Sequence, residues 1–188
     1  MHRFYLVSLF FLLAPALLAQ QVDPAKLGQS CPEIALQTVE GDRTVSLNTF
    51  RTTPDQPGRP VAIVFWSYKC PTGRRALDNG TLDRIFAYCK KSNIELIGIC
   101  SYGESAAGLA SEAKSRGIEY TLLHDPDRLA ADLLGAQVVT HSILLDPQGK
   151  LVYTGGLAGR RGGAALQEAL EDVAAGREVR TSRSRARG

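Results

Sequence analysis

The sequence predicts a mixed α/β sandwich: a central sheet between two layers, with a β-hairpin at its N-terminal edge. Three observations carry that prediction. Residues 61–66, VAIVFW, are an unbroken apolar run of strand length, which suits a strand buried on both faces in the middle of a largely parallel sheet. From there, strand-like and helix-like stretches alternate as far as residue 134, the rhythm of βαβ units. Residues 142–155 then read as two strands joined by the turn PQGK, before a Gly-rich loop and a last helical stretch, so a hairpin and a closing helix complete the sheet.

Taken in order, the chain of 188 residues suits one domain. Residues 1–20 open with His2 and Arg3, continue as an apolar run and end among small residues, the pattern of a secretory signal peptide. The run is short for a membrane span, so no stable membrane insertion is expected once it is removed, and the location implied is secreted or periplasmic and oxidising. The domain proper is expected over residues 21–176. It starts with a turn-rich linker containing Cys31, then IALQTV and TVSL around the turn EGD, a β-hairpin that covers a sheet edge. A helical turn at residues 48–51 and the loop TTPDQPGRP lead into the central strand.

That strand stops at Cys70. Pro71 follows at what would be the first helical position of a segment over residues 72–88, which puts Cys70 at or near the N-cap. Free backbone N–H groups and the helix dipole favour a thiolate there, and Lys69, Arg74 and Arg75 add cations, so Cys70 is expected to be a reactive cysteine with a lowered pKa. Leu82, Ile85, Phe86 and Cys89 recur at helical spacing on one face, which makes Cys89 a core residue. Residues 93–100 are the next strand, ending at Cys100. A helix as far as Arg116 with Gly117 as its stop, a short strand 120–124, and a short helix 128–134 capped by Asp125 or Asp127 follow. The final helix is expected at residues 164–175.

The formal charge of +3 is uneven: the last twelve residues hold five arginines and one glutamate, which leaves −1 for everything before them. A tail of that composition, residues 177–188, cannot bury enough surface to fold and is expected to be flexible. An exported, nearly neutral domain is not a nucleic-acid binder. No cofactor is expected.

The order of hairpin, strand ending in Cys, helix, two further βα units, hairpin and helix resembles the thioredoxin superfamily. Within it the chain is similar to the redoxin, peroxiredoxin-like branch, of the alkyl hydroperoxide reductase and thiol-specific antioxidant type. The matching stretches are GQSCPEIAL with EGDRTVSL, VFWSYKCPTGRR, IEYTLLHDPDRLAADLLGA and ILLDPQGKLVYTGGL, across roughly residues 27–175. The resemblance implies a thioredoxin-like three-layer sandwich and a thiol oxidoreductase. Cys70 would be its nucleophile, acting on a small hydroperoxide or a partner protein disulfide, with a thiol reductant as the other partner. Arg74 and Arg75 would stabilise the thiolate and developing negative charge. Cys100, at the end of the neighbouring strand, would be the internal resolving thiol, with a swing of Cys31 or a Cys31–Cys100 bridge as alternatives.

Departures from the family pattern accompany the matches. Gly73 stands where a C-x-x-C motif has its second Cys, and Ile63 and Ser67 stand where peroxiredoxins carry Pro and Thr ahead of the nucleophile. Their second active-site arginine would fall near Thr140. Counting back from Gly149 puts His141 at the thioredoxin cis-proline position, facing Cys70, where an imidazole could act as base or join the sulfur in a copper site. VTHS is similar to the His-Ser of the Sco copper-delivery proteins, although Arg74 replaces their second Cys. Two further readings follow: a non-catalytic module that binds copper through Cys70 and His141, and a degenerate redoxin with an interaction role. His124 is read as structural.

Overall fold

All five residues of Val61–Phe65 (β3) are buried. Strand periodicity sends Ala62, Val64 and Trp66 into one core and Val61, Ile63 and Phe65 into the other, so both faces of the strand must be covered. Each of the larger aliphatic and Phe side chains among them withdraws enough apolar surface to contribute about 1.5–3 kcal/mol. The computed structural model describes residues 23–157 and 162–186; the expected signal peptide and the loop arginines Arg160 and Arg161 lie outside the described residues.

The other strands are Ala35–Thr38 (β1), Thr44–Ser46 (β2), Glu95–Cys100 (β4), Thr121–His124 (β5), His141–Leu145 (β6) and Leu151–Gly156 (β7). They form one seven-stranded sheet in the order β2-β1-β5-β4-β3-β6-β7. Strands β3, β4 and β5 are parallel neighbours. β6 runs antiparallel to β3, and β7 antiparallel to β6, while the hairpin β1–β2 joins antiparallel to β5. This is the expected mixed sheet with its hairpin at the edge.

The helices are Pro71–Asp78 (α1), Thr81–Lys91 (α2), Ala106–Arg116 (α3), Leu129–Leu133 (α4) and Gly162–Ala174 (α5). One core lies under α1, α2, α3 and α5. The other is closed by the segment around Cys31 and Ile34, the 3-10 turn Leu47–Phe50 and α4, which gives three layers. The segment expected as one helix after Cys70 is two helices. Gly80 takes a left-handed φ of 69°, and the Asn79 side chain accepts the N–H of Thr81, so the chain bends there and starts a new helix. At α4, Asp125 is the capping residue: its carboxylate accepts from the N–H groups of Ala130 and Ala131, both at 3.1 Å.

The C-terminal segment departs from the flexible arm expected of it. Residues 177–186 return along β7: the Thr154 N–H donates to the Ser182 carbonyl at 3.0 Å, and the Ser184 N–H donates to the Thr154 carbonyl at 3.1 Å. Two features hold it. Asp172, with a fully buried side chain, accepts from Arg177 Nη2 at 3.0 Å and from Arg180 Nε at 3.0 Å. Gly155 and Gly156 of β7 leave open the space into which Ser184 and Arg185 fit. Composition alone misses this, because the partner of the arginines is one buried carboxylate on α5.

Candidate functional site

Cys70 lies where the sequence puts it, at the carboxyl end of the central strand and at the N-cap of α1, with Pro71 at the first helical position. It is half-buried, whereas Cys31, Cys89 and Cys100 are buried; none of the four is in a disulfide. The turn between β3 and α1 is set by Ser67. Its Oγ accepts the N–H groups of Lys69 at 3.2 Å and Cys70 at 3.3 Å, and its own proton goes to Glu104 Oε1. Glu104 belongs to the turn after β4 and is itself buried, and its Oε2 has no hydrogen-bond partner. A buried carboxylate therefore ties the turn that presents Cys70 to the turn that follows the adjacent parallel strand.

The same rim extends to β5. The His124 ring nitrogen Nε2 lies 2.9 Å from the Glu104 carbonyl, which bears out its structural reading, and Ser101 donates to Asp125 at 2.6 Å. Between these bonds sits Tyr102. The Arg128 guanidinium lies 5.5 Å from the centre of its ring, a cation–π contact, and Arg128 Nη1 reaches the Ser101 carbonyl at 3.4 Å. Burial raises the Tyr102 phenol above its ordinary value, the charge of Arg128 and its hydrogen bond to the phenol offset part of this, and nearby Cys70 and Asp125 raise it again. Cys70 and Tyr102 both follow the carboxyl ends of parallel strands, β3 and β4, the edge where open α/β sheets place their sites.

Gly73 is closed to a second cysteine by geometry as well as by sequence. It is buried in the first turn of α1, and a Cβ there would fall inside the contact distance of the Ser67 carbonyl oxygen and 2.9 Å from Val139 Cγ1. The loop before β6 therefore lies against the Cys70 helix, and its special backbone belongs to Thr140. Thr140 is fully buried with a left-handed φ of 72°; its N–H donates to the Phe65 carbonyl at 2.6 Å and its carbonyl accepts from Leu157 at 2.8 Å.

His141, expected opposite Cys70, is instead the first residue of β6. Its Nε2 lies 2.8 Å from Thr154 Oγ1 on β7, and burial alone pushes its pKa below the ordinary value. Its place is one residue later than the loop position, on the strand face shared with Ile143. Arg74 and Arg75 are exposed and make no side-chain hydrogen bond or ion pair among the described residues. They and exposed Lys69 form a positive rim around Cys70 rather than direct contacts to it.

The other thiols are sequestered. Cys100 ends β4 inside the core under α2 and α3, and burial, then the nearby Glu104 charge, push its pKa far up. Cys89 lies in the same core at about 12. Cys31 is not in a mobile linker: its N–H donates to the Gly149 carbonyl at 2.8 Å, and burial, partly offset by Arg51, pushes it to about 11. Cys31 and Cys100 lie in cores on opposite faces of the sheet, so they form no bridge. Among the described residues no group of three or more His, Cys, Asp or Glu side chains is arranged to hold a metal ion.

Sequence reasoning missed Glu104, Tyr102 and Arg128. The signal available for them was position: SYGE and HDPDR both follow strands of the parallel set at the same edge as Cys70.

Comparison with known proteins adds four likenesses. A model of the AhpC/TSA family matches residues 27–154. The thiol-disulfide oxidoreductase ResA of Bacillus subtilis is 23% identical over 125 residues, 66% of this chain and 64% of the relative, so the chain spans just under two thirds of that protein's length. A hypothetical protein of Sinorhizobium meliloti superposes with a TM-score of 0.74 at 22% identity, covering 88% of this chain and 93% of that one. A putative thiol:disulfide interchange protein DsbE of Chlorobium tepidum gives a TM-score of 0.55 at 22% identity, over 69% of this chain and 84% of that one. At such identities the solved structures speak for the fold, which is thioredoxin-like.

Proposed function

This chain belongs to the AhpC/TSA family, and from that premise we propose that it is an exported thiol oxidoreductase whose redox nucleophile is Cys70 and whose principal reaction is thiol–disulfide exchange with partner proteins. One observation carries the reading. Of four cysteines, only Cys70 reaches the surface, and it does so at a helix N-terminus on the carboxyl edge of the parallel strands.

In the reaction the Cys70 sulfur attacks one sulfur of a partner disulfide. A mixed disulfide forms, the partner S–S bond breaks, and the second partner sulfur leaves with the electron pair as a thiolate. Resolution needs an external thiol, because Gly73 cannot be a cysteine in this backbone and Cys100 is buried as a thiol far from ionising. Hydroperoxide reduction is the second reading, favoured by the family match and by the Cys70-Pro71-Thr72 sequence. Cys70 would then become a sulfenic acid as the peroxide leaves as alcohol or water, and a thiol reductant would return it. Ser67 stands at the family's threonine position, but its only proton is held by Glu104, which is why exchange is placed first.

The test is incubation of the signal-cleaved protein with glutathione disulfide and, separately, with hydrogen peroxide, followed by peptide mass spectrometry and turnover assays with wild type and Cys70→Ser. A glutathione adduct confined to Cys70 and lost turnover in Cys70→Ser are expected. Full turnover in Cys70→Ser would remove the proposal.

A further inference from the structure

We propose that the surface around Cys70 is a docking rim for an acidic segment of a partner protein, so that disulfides flanked by Asp or Glu are those with which Cys70 exchanges. The inference rests on the exchange reading above and names the chemistry of the partner. Two observations carry it: where the cations lie, and where the carboxylates do not. Lys69 stands immediately before Cys70, and the Arg74 N–H donates to the Cys70 carbonyl at 2.9 Å, which sets Arg74 one turn behind the thiol on the same side of α1. With Arg75 they are exposed, and none makes a side-chain hydrogen bond or ion pair among the described residues. The cationic surface continues across the sheet. The loop before β6 lies against the first turn of α1 at Val139, β6 starts at the edge where β3 ends, with Ser142 opposite Val64, and β7 ends there, with Gly156 opposite His141. Against Gly155 and Gly156 lies the C-terminal segment, whose Arg183 and Arg185 are exposed and likewise without an ion pair among the described residues.

Carboxylates that would neutralise these cations are missing from the same edge. The turns after β3 and β4, residues 66–70 and 101–105, hold one, Glu104, which is buried and bonded inward to Ser67. The loop 134–140 holds none. The carboxylate of α1, Asp78, is at its far end and paired with Arg116 at 2.7 Å. Asp127 and Asp132 follow β5, which β4 separates from β3, and the second is paired with Arg128 at 3.6 Å. Like charges left side by side repel one another, and an anionic partner relieves that repulsion. An acidic segment seated there brings its disulfide to the thiol: the Cys70 sulfur bonds to one partner sulfur, the partner S–S bond breaks, and the other sulfur leaves with the electron pair as a thiolate. The field acts on the rate of encounter, and salt weakens it because the cations are exposed. A basic segment is repelled at the same place, so the rim discriminates as well as attracts.

The experiment uses symmetric disulfide dimers of short peptides whose cysteine is flanked by Glu, by Ser or by Lys. Formation of the mixed disulfide at Cys70 of the signal-cleaved protein is timed by mass spectrometry, and each rate is divided by that of the same peptide with mercaptoethanol, which removes the peptide's own reactivity. Because peptides are compared on one protein, the ionisation of Cys70 cancels from their ratio. Expected at low salt is a preference of about tenfold or more for the Glu over the Ser peptide, with the Lys peptide slowest, shrinking towards one at about 0.5 M salt. Arg74→Glu with Arg75→Glu should abolish or reverse the preference, and Arg183→Ser with Arg185→Ser should reduce it, in proteins whose thermal melts show them folded. Equal rates for the three peptides, or a preference kept in full by either pair of variants, overturn the inference and leave the exchange reading intact. Retention on vesicles of phosphatidylglycerol and phosphatidylcholine without any peptide preference would give the rim to a membrane surface and overturn it equally. A wild-type Cys70 inert to every peptide removes the exchange reading and this inference together.

Discussion

At the scale of single residues the site turns on Gly73 and Cys70. A one-cysteine site could be the accident of one substitution, reversible by restoring the second thiol. The packing argues otherwise, since a Cβ at Gly73 meets the Ser67 carbonyl oxygen and Val139 Cγ1, both fixed, the first because Ser67 sets the Cys70 turn. Gly73→Cys is therefore expected to lose about 1–3 kcal/mol in urea unfolding, the range of overpacked sites, and to form no bridge between Cys70 and the introduced thiol when equilibrated with oxidised dithiothreitol. A variant of wild-type stability that forms the bridge would show that the first turn of α1 gives way. Cys70 was legible in the sequence because everything that marks it is local: an apolar strand, the following proline, neighbouring cations. Glu104 was not, because the bond that gives it meaning joins residues 37 apart in the chain. The partner of His141 was hidden for a related reason. Its residue type suits a thiol site, but strand alternation and the reach of Thr154 decide where the ring goes.

Among elements, the clearest gain over sequence is the C-terminal segment, which the composition marks as an unfolded arm and which the structure lays along β7. A bare edge strand is an invitation to foreign pairing, and residues 182–184 occupy part of that edge. The grip is electrostatic. Hydrogen bonds from Arg180, opposed by desolvation and supported by Arg177, hold the Asp172 carboxyl at about 2. Its pKa is depressed, so the contribution is present above the unfolded value of 3.8 and is lost as pH falls through about 2. Asp172→Ala should release the segment at neutral pH: tryptic cleavage after Arg177, Arg180 and Arg183 is expected to rise about tenfold or more, the scale of one lost charge-assisted contact, while the rest of the domain stays resistant. Unchanged cleavage would mean that the backbone bonds to Thr154 suffice without the anchor. The strands, by contrast, were legible almost to their ends, because five consecutive buried apolar residues admit few other readings. The break between α1 and α2 was hidden by an apolar face that continues across Gly80.

Over the whole molecule, the two cores divide the cysteines as strand alternation dictates: Cys31 in one, Cys89 and Cys100 in the other, and Cys70 at the rim between β3 and α1. Reading the sheet from the sequence was enough to make Cys89 a core residue. It was not enough to separate Cys31 from Cys100, because which face a distant segment covers depends on the crossovers. The buried thiols also give the fold an alkaline limit. In the unfolded chain they ionise near 9.0, whereas in the fold Cys31 is held at about 11 and Cys89 at about 12, because charging them inside the cores is costly. Between those values the unfolded state has released protons that the folded state keeps, so stability falls as pH rises, by up to about 1.4 kcal/mol per pH unit for each thiol. Urea midpoints should therefore drop between about pH 8 and about pH 10.5, from both cores at once. Cys89→Ala separates ionisation from packing. At the lower pH the variant is expected to be the less stable protein, by about 1 kcal/mol for the lost sulfur contacts. At the upper pH the difference should close or change sign, because alanine has no proton to lose. A gap that stays constant over that range would show that the folded and unfolded forms ionise Cys89 alike, and that the core around α2 is open to water.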